Sequence, residues 1–247
     1  MSIPLAIVGC GKMGRMVERL SPEYGFEVCA RLSKAEMAKV SAASLNGAIV
    51  AMEFTNAAAA VENLQRLSQL RVNTVCGTTG WYDELSPIRD AFQATKTGLL
   101  FGANFSVGVN VFLEIVAHAA SIMATHPEYE AWGWEIHHGE KKDAPSGTLR
   151  KLAEQMRSAG FCGELSLSSN RAGAHAGTHE IGFDSAEDTI TLRHTARNRE
   201  GFARGALQAA RWLVGKDGVH DFRTIFGKLA ELAPASEEEN PIASGSD

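Results

Sequence analysis

A single stretch near the start of the chain decides its fold: Leu5-Ala6-Ile7-Val8-Gly9-Cys10-Gly11-Lys12-Met13-Gly14. Its apolar run is typical of a buried parallel strand. Its second half fits the pattern G-x-G-x-x-G, and an amphipathic segment follows through about Leu20. Two such glycines let the backbone turn tightly toward a pyrophosphate, and the third lets strand and helix pack closely. A plain glycine-rich turn would share the letters, but the strand before it and the helix after it favour dinucleotide binding.

Around this stretch, apolar runs alternate with amphipathic segments over the first hundred residues, as a parallel α/β sheet requires. Beyond them the pattern changes to a long helix, a strand, another helix and an antiparallel pair of strands. A run of strands after a run of strand–helix units predicts an α/β fold: a Rossmann-type parallel sheet domain plus a second α+β domain with a mixed or antiparallel sheet. The predicted strands are Leu5–Val8, Phe26–Ala30, Ala48–Phe54, Val72–Cys76, Gly98–Phe101, Glu130–His137, Thr178–Phe183 and Thr189–Arg193. The predicted helices of the later part are Val109–Thr125, Ser146–Ala159 and Gly201–Val214.

The bulk composition indicates neither a nucleic-acid-binding protein nor a membrane protein. The 247 residues carry a net charge of −5, and the N-terminal apolar run is too short for a signal peptide or a membrane span. Four scattered cysteines without a C-x-x-C pair are expected to be reduced and structural, which fits the cytoplasm. Residues 233–247, rich in Ser, Pro, Glu and Ala, are expected to form a disordered tail.

Two further turns follow predicted parallel strands, at the edge where open α/β sheets bind ligands. They are Phe54-Thr55-Asn56 and Gly77-Thr78-Thr79-Gly80. Turn formation and helix capping would also explain these residues. Their shared sheet edge nevertheless favours contacts to the nicotinamide and its ribose.

The end of the second predicted strand bears on the choice of cofactor. NAD-preferring sites place a carboxylate there, about 20 residues after the glycines, to hold the ribose 2′-OH. This chain has no carboxylate in that region before Glu36, and it has Arg31 instead. A guanidinium pairs well with a 2′-phosphate, although a cation after a strand is also common on protein surfaces. The sequence therefore admits NADPH or NADH and favours NADPH.

The densest chemistry lies in Glu135-Ile136-His137-His138-Gly139-Glu140-Lys141-Lys142-Asp143-Ala144-Pro145-Ser146-Gly147-Thr148. Two histidines and two lysines stand just before a predicted helix start, whose free N–H groups favour a carboxylate. An imidazole in this position can deliver a proton. The two adjacent histidines could also bind a metal, but no third ligand is evident nearby in the sequence, so we expect none. The segment therefore predicts a site for a small acid.

Three motifs resemble segments of the dihydrodipicolinate reductase family, in the expected order and at the expected distances. They are Gly77-Thr78-Thr79-Gly80, Asn104-Phe105-Ser106-Val107-Gly108-Val109-Asn110 and His137-His138-x-x-Lys141-x-Asp143-Ala144-Pro145-Ser146-Gly147-Thr148. The resemblance extends from the first strand to about Gly227. It implies NAD(P)H-dependent reduction of 4-hydroxy-tetrahydrodipicolinate, or of its dehydrated form, to tetrahydrodipicolinate in the bacterial lysine pathway. A hydride would go to the substrate ring, and an acid would protonate the resulting enamine carbon.

The resemblance also implies roles for individual residues. His137 would be the proton donor and Lys141 the second catalytic group, while His138, Gly147 and Thr148 would contact the substrate. Together with the turns discussed above, the residues expected to bind the cofactor are Gly9, Cys10, Gly11, Lys12, Met13, Gly14, Arg31, Phe54, Thr55, Gly77, Thr78, Thr79, Gly102, Ala103, Asn104 and Phe105.

The family likeness further implies a small dicarboxylate substrate and a cytoplasmic homotetramer joined through the sheet of the second domain. The C-terminal helix of the family returns to the nucleotide domain. The predicted dinucleotide-binding domain is therefore 1–104 with 199–232, and the predicted domain for substrate binding and oligomerisation is 105–198.

Two other classes of protein share parts of this pattern. Another Rossmann reductase, acting on small acids or sugars, would have the glycine turn and the domain order, but it gives no reason for Asp143-Ala144-Pro145-Ser146-Gly147-Thr148. A non-catalytic NAD(P)-sensing protein would keep the glycine turn and would have no use for the cluster from His137 to Lys141.

Overall fold

The chain folds into two compact units in the computed structural model, which describes residues 2–228. Among the described residues, one unit comprises 2–103 and 206–228, and the other comprises Asn104–Gly205. The chain re-enters the first unit at Ala206, later than the position 199 expected from the sequence. Residues 229–232 of the expected first domain and the expected disordered tail, 233–247, lie outside the described residues.

Strands and helices of the described chain follow one another in this order: β1 (Ile3–Val8), α1 (Lys12–Leu20), β2 (Phe26–Leu32), α2 (Lys34–Met37), β3 (Val50–Glu53), α3 (Ala57–Gln69), β4 (Asn73–Cys76), α4 (Leu85–Thr95), β5 (Gly98–Phe101), α5 (Val107–Met123), β6 (Glu130–His137), α6 (Gly147–Ser158), β7 (Leu165–Arg171), β8 (Thr178–Asp184), β9 (Thr189–Thr195), α7 (Glu200–Leu213), β10 (Gly218–Asp221) and α8 (Phe222–Ile225).

The first unit is built on a parallel sheet with the strand order β10-β5-β4-β3-β1-β2, which confirms the predicted Rossmann-type fold. Its central strands are buried because they are short apolar runs, as in Leu5–Val8. The strand order reverses at β1, which has β2 on one side and β3 on the other. Such a reversal opens the crevice in which α/β sheets bind ligands. Strand β10 was not predicted, because Gly218–Asp221 contains only one apolar side chain, Val219.

The second unit packs α5 and α6 against a sheet with the order β7-β6-β8-β9. Strand β6 runs parallel to β7 and antiparallel to β8. The predicted second sheet, mixed or antiparallel, is therefore confirmed and is a mixed one. The core between helices and sheet includes Val116, Leu152, Ile181 and Phe183. Strand β7 was not predicted, because Ser and Asn fill most of its positions.

The four cysteines are free thiols. Cys76 is buried and Cys29 half-buried, as expected of structural residues. Cys10 and Cys162 are exposed, so their interpretation as structural is wrong. Cys10 lies in the glycine turn, beside Gly11, where an added Cβ would meet nothing within 4 Å. Within residues 2–228, no helix has the length and apolar character needed to cross a bilayer.

Candidate active site

The residues expected to bind the cofactor gather mainly at the carboxyl edge of the parallel sheet. The pairing register sets the ends of β1, β3, β4 and β5 side by side. The amide of Phe54 donates to the backbone carbonyl of Val8 at 2.9 Å. The amide of Gly77 donates to the backbone carbonyl of Glu53 at 2.9 Å. The ring of Phe54 lies against Gly77, where any side chain would collide with it. These turns form one continuous edge of backbone, which suits an extended dinucleotide.

The glycine turn leaves the N-terminus of α1 open. Its N-cap residue is Gly11, which has no side chain to cap the helix. A Cβ added at this position would meet nothing within 4 Å. The first amides of the helix, those of Lys12, Met13 and Gly14, have no intrahelical partners and can bind a phosphate. Position 14 requires glycine, because a Cβ would collide with the carbonyl oxygen of Gly9. The turn therefore fits the pyrophosphate of a dinucleotide.

Side chains tie the turns after β3 and β4 together. The buried hydroxyl of Thr78 accepts a hydrogen bond from the amide of Thr55 at 2.8 Å. The fully buried carboxylate of Glu53 accepts from the hydroxyl of Thr55 and, at 3.2 Å, from the side-chain amide of Asn63. Thr55 and Thr78 are thus held in place, while the adjacent Thr79 is exposed and open to a ligand.

The segment after β5 crosses from the first unit into the second. Gly102 is buried and Ala103 is exposed, and both belong to the first unit. Asn104 and the buried Phe105 belong to the second unit. The side-chain oxygen of Asn104 accepts from the amide of Ser106 at 2.9 Å, just before α5 begins. Asn104 therefore has a local structural partner in addition to its expected role toward the cofactor.

Arg31, near the end of β2, is paired with Glu18 of α1. Its guanidinium donates to one carboxylate oxygen of Glu18 through Nε at 2.8 Å and through Nη2 at 2.6 Å. Both side chains are largely exposed, and pairs of this kind stabilise a fold only weakly. A 2′-phosphate at Arg31 would therefore compete with Glu18 for the same donors.

The alternation of β6 brings two functional side chains to its buried face. Glu135 and His137 are two residues apart and both point to that side. The register then sets His179 of β8 opposite Glu135, and Arg171 of β7 opposite His137. One carboxylate, two imidazoles and one guanidinium consequently meet at the end of β6.

Glu135 is fully buried and strongly hydrogen-bonded through a single oxygen. Its Oε1 accepts from the amide of Ser146 at 2.8 Å, from the hydroxyl of Ser169 at 2.9 Å and from Nη2 of Arg171 at 2.8 Å. Burial by itself would raise the pKa of this carboxyl, but the hydrogen bonds from Ser146, Arg171 and Ser169 outweigh it and lower the pKa to about 2. Glu135 is therefore a fixed negative charge.

Both imidazoles face the other oxygen of this carboxylate. Glu135 Oε2 lies 3.6 Å from Nδ1 of His137 and 3.4 Å from Nε2 of His179. Burial lowers the pKa of His137, and the negative charge of Glu135 opposes this. Burial, reinforced by the neighbouring His137, lowers the pKa of His179 to about 4. His179 is therefore neutral near pH 7, and His137 is the imidazole more readily protonated.

The same cluster bears on the expectation that no metal binds. The sequence showed no third ligand near the histidine pair, yet the structure brings ligand atoms of Glu135, His137 and His179 within 4.8 Å of one another. Arg171 already pairs with Oε1 of this carboxylate at 2.8 Å, so Oε2 is the oxygen left as a ligand atom. The absence of a metal stays a prediction.

The loop between β6 and α6 is held by hydrogen bonds to its backbone amides and carbonyls. The amide of His138 donates to the carbonyl of His175 at 2.8 Å, and Nη2 of Arg171 donates to the carbonyl of Asp143 at 2.5 Å. Lys141 projects from this loop and forms an ion pair of 2.8 Å with the carboxylate of Asp143. Its side chain is about a quarter exposed, so an anion can reach it.

The start of α6 leaves free N–H groups beside this lysine in the sequence. The hydroxyl of Ser146 caps the helix by accepting from the amide of Leu149 at 3.2 Å. The amides of Gly147 and Thr148 have no intrahelical partner. Gly147 is exposed, and a Cβ there would meet nothing within 4 Å. His138 lies 3.4 Å from the guanidinium of Arg199. Free amides at a helix start and cations of this kind are each able to bind a carboxylate.

Sequence reasoning gave no role to Glu135 or His179. In the sequence, Glu135 stood out only as the first residue of the dense segment, and His179 only as a residue within the predicted strand Thr178–Phe183. A signal for Glu135 was present, because the alternation of Glu130–His137 sets an acid two residues before a histidine on the buried face. Nothing local to His179 indicated its partner, since the β6–β8 register is a long-range property.

A parallel-sheet unit with an open glycine turn, followed by a unit with a buried imidazole–carboxylate pair, defines an NAD(P)-dependent oxidoreductase of the Rossmann type. Two family models match the chain: "Dihydrodipicolinate reductase, N-terminus" over residues 3–105 and "Dihydrodipicolinate reductase, C-terminus" over residues 108–226. The chain belongs to the dihydrodipicolinate reductase family, the NAD(P)H-dependent oxidoreductases that reduce 4-hydroxy-tetrahydrodipicolinate in lysine and diaminopimelate biosynthesis.

Individual relatives agree with this family. The 4-hydroxy-tetrahydrodipicolinate reductase of Christiangramia forsetii is 31% identical over 238 residues, which cover 91% of this chain and 98% of that protein. The enzyme of the same name from Archaeoglobus fulgidus is 33% identical, with 84% and 92% covered. The solved structure of dipicolinate-bound dihydrodipicolinate reductase from Paenisporosarcina sp. TG-14 has the same fold. Its TM-score is 0.74 at 23% identity, with 91% of this chain and 100% of that chain covered.

Proposed function

We propose that this chain reduces 4-hydroxy-tetrahydrodipicolinate to tetrahydrodipicolinate with His137 as the proton donor and Lys141 as the second catalytic group. The observation that carries these roles is the buried pair of His137 and Glu135, close in sequence to a partly exposed lysine and the open start of α6. An acid, a cation and free amides are the groups that a dicarboxylate reductase needs.

The bound nicotinamide cofactor supplies a hydride to the substrate ring. His137 turns Nδ1 toward Glu135, so Nε2 is the ring nitrogen that gives a proton to the enamine carbon. Lys141 leaves Asp143 and binds one substrate carboxylate, to which the amides of Gly147 and Thr148 also donate hydrogen bonds. His138 contacts the substrate from the same loop. The positive charge of Lys141 stabilises the negative charge that builds up in the ring during transfer.

An assay of NAD(P)H oxidation with freshly generated product of dihydrodipicolinate synthase tests the reaction directly. We expect oxidation that depends on both the synthase product and this protein. The matched control omits the synthase and should show no oxidation. If neither NADPH nor NADH is oxidised, the alternative functions are favoured: another Rossmann reductase or a cofactor-sensing protein.

For the cofactor, we propose the residues at the sheet edge of the first unit together with Asn104 and Phe105, and a preference for NADPH. The preference is supported by Arg31, the cation at the end of β2. The pyrophosphate is assigned to the turn from Gly9 to Gly14, because the first turn of α1 is open. Phe54, Thr55, Gly77, Thr78, Thr79, Gly102 and Ala103 are assigned to the remainder of the cofactor.

Replacing Arg31 with Ala is expected to raise KM for NADPH by about tenfold and to change KM for NADH little, because one charge-assisted contact to the 2′-phosphate is lost. Steady-state kinetics with both cofactors measure this. Glu18→Gln is the matched variant: it frees the guanidinium and should lower KM for NADPH. Equal effects of Arg31→Ala on both cofactors would remove Arg31 from the 2′-phosphate site.

We further propose a cytoplasmic homotetramer joined through the sheet of the second unit. The family resemblance supports this, as do two tryptophans on the face of β6 opposite to its buried side. The ring of Trp132 lies over Gly182, and Trp134 donates to Asn170 at 2.8 Å. Large aromatic side chains on an outer sheet face are typical of an interface.

A further inference from the structure

We propose that Glu135 is a positioning residue for the reaction: it holds His137 with Nδ1–H toward its own Oε2, leaving Nε2 for the substrate, and it favours the protonated imidazole. This inference rests on the proposed role of His137 as proton donor. It adds a residue to which sequence reasoning gave no role.

The two oxygens of the Glu135 carboxylate have different surroundings. Its Oε1 is fixed by donors from three places, the amide of Ser146, the hydroxyl of Ser169 and the guanidinium of Arg171. Its Oε2 is buried and has no hydrogen-bond partner within residues 2–228. A buried anionic oxygen without a donor is costly, so an N–H group that can reach it will be strongly favoured.

His137 offers the matching donor. Its Nδ1 is buried, has no hydrogen-bond partner in the described part of the chain and lies 3.6 Å from Oε2. A distance of 3.6 Å is longer than a hydrogen bond, but catalytic contacts are often long before the substrate binds and then shorten. On the other side of the ring, a Cβ at Gly177 would lie 2.9 Å from Nε2. A side chain at that position would crowd Nε2, and glycine avoids this.

The imidazole of His179 also lies near Oε2 of Glu135, but it does not take over the role proposed for His137. His179 Nε2 lies 3.4 Å from Oε2 and 3.2 Å from the hydroxyl of Ser146, and the two rings meet edge to face at 5.0 Å. A carboxylate oxygen has two lone pairs and can accept from both rings. Because His179 is the more deeply buried and is neutral near pH 7, a proton added to the cluster goes to His137.

Several charges act on His137 besides Glu135. Lys141 of the loop and Arg171 of β7 oppose its protonation, while Asp143 of the loop favours it. His179 of β8 faces the ring, and His194 of β9 acts on His179. Burial also disfavours the imidazolium. Glu135 is the largest influence that favours the charged form, so its removal should lower the pKa of His137.

The first experiment is the pH profile of kcat for Glu135→Gln. A proton donor must be protonated, so kcat is full below the pKa of His137 and falls as the pH rises through it. We expect this descending limb to move to lower pH by about one unit, with KM for the cofactor unchanged. Glu180→Gln is the matched control, since Glu180 lies in β8, pairs with Arg193 at 3.4 Å and should leave the limb in place. An unmoved limb in folded Glu135→Gln would overturn the proposal.

The second experiment compares His137→Gln with the double variant Glu135→Gln/His137→Gln. If Glu135 acts through His137, the second substitution lowers kcat no further. A further loss of tenfold or more would show an independent role and would contradict the proposal. If His137→Gln itself keeps its turnover, the proposed function fails first, so the two failures are distinguishable.

A third measurement uses the wild-type enzyme and so does not depend on how the variants fold. The ¹⁵N chemical shifts of the His137 ring report which nitrogen carries the proton in the neutral form. We expect the proton on Nδ1 and a free lone pair on Nε2. The opposite tautomer would refute the positioning role, because Nδ1 could then not donate to Glu135.

Discussion

His137→Gln is expected to lower kcat by about 10²–10⁴-fold, the usual contribution of a positioned general acid. Glutamine is similar in size and polarity but cannot deliver a proton near neutral pH. The acid acts in the transition state and holds little of the bound substrate, so KM should change little. Steady-state kinetics with saturating cofactor measure the effect, and circular dichroism verifies the fold.

His118→Gln is the matched control for this variant. His118 lies on the exposed side of α5, and its replacement should leave kcat at the wild-type value. Retention of full turnover in His137→Gln would exclude this residue as the proton donor.

Lys141→Ala is expected to lower kcat/KM by about 10²-fold, which corresponds to the loss of one charged hydrogen bond of about 3 kcal/mol. Both parameters should change, because the ammonium binds a substrate carboxylate and also stabilises charge during hydride transfer. The fold should persist, since the ion pair with Asp143 is partly exposed and such pairs contribute only about 0–1 kcal/mol. Kinetics over a range of substrate concentrations separate the two effects.

The neighbouring lysine provides the control for Lys141. Lys142 is exposed in the same loop, and Lys142→Ala should keep wild-type kinetics. Lys141→Arg retains a cation and should lose less than Lys141→Ala, although a guanidinium differs in shape from an ammonium. Equal losses in Lys141→Ala and Lys142→Ala would indicate a general effect of charge and not a specific contact.

Local sequence patterns predicted the elements whose signal is self-contained. Leu5–Val8 and Gly98–Phe101 are short apolar runs before turns, and each became a buried strand of the parallel sheet. Strands β7 and β10 escaped prediction because their own residues are largely polar or small and because they are added to sheets whose apolar strands lie elsewhere. Their pairing partners, not their composition, determine their structure.

The same distinction applies to the site. The glycine turn and the segment from His137 to Thr148 carry short-range patterns, so their residues could be named in advance. The contact between Arg31 and Glu18 and the placement of His179 against Glu135 depend on the packing of separate elements. A sequence read one stretch at a time does not contain such distances.

The loop from His138 to Pro145 is anchored before any substrate arrives. Glu135 binds the amide of Ser146 at the far end of this loop, Arg171 binds the carbonyl of Asp143 in its middle, and His138 is bonded at its beginning. The conformational entropy of this loop is therefore lost when the protein folds and not when the ligand binds. Preorganisation of this kind raises affinity without adding a contact. It also means that Glu135→Ala, which removes the acceptor of the Ser146 amide, would loosen the loop, a change that hydrogen exchange of its amides would register. Glu135→Gln keeps a side-chain oxygen for that amide and should leave the loop in place.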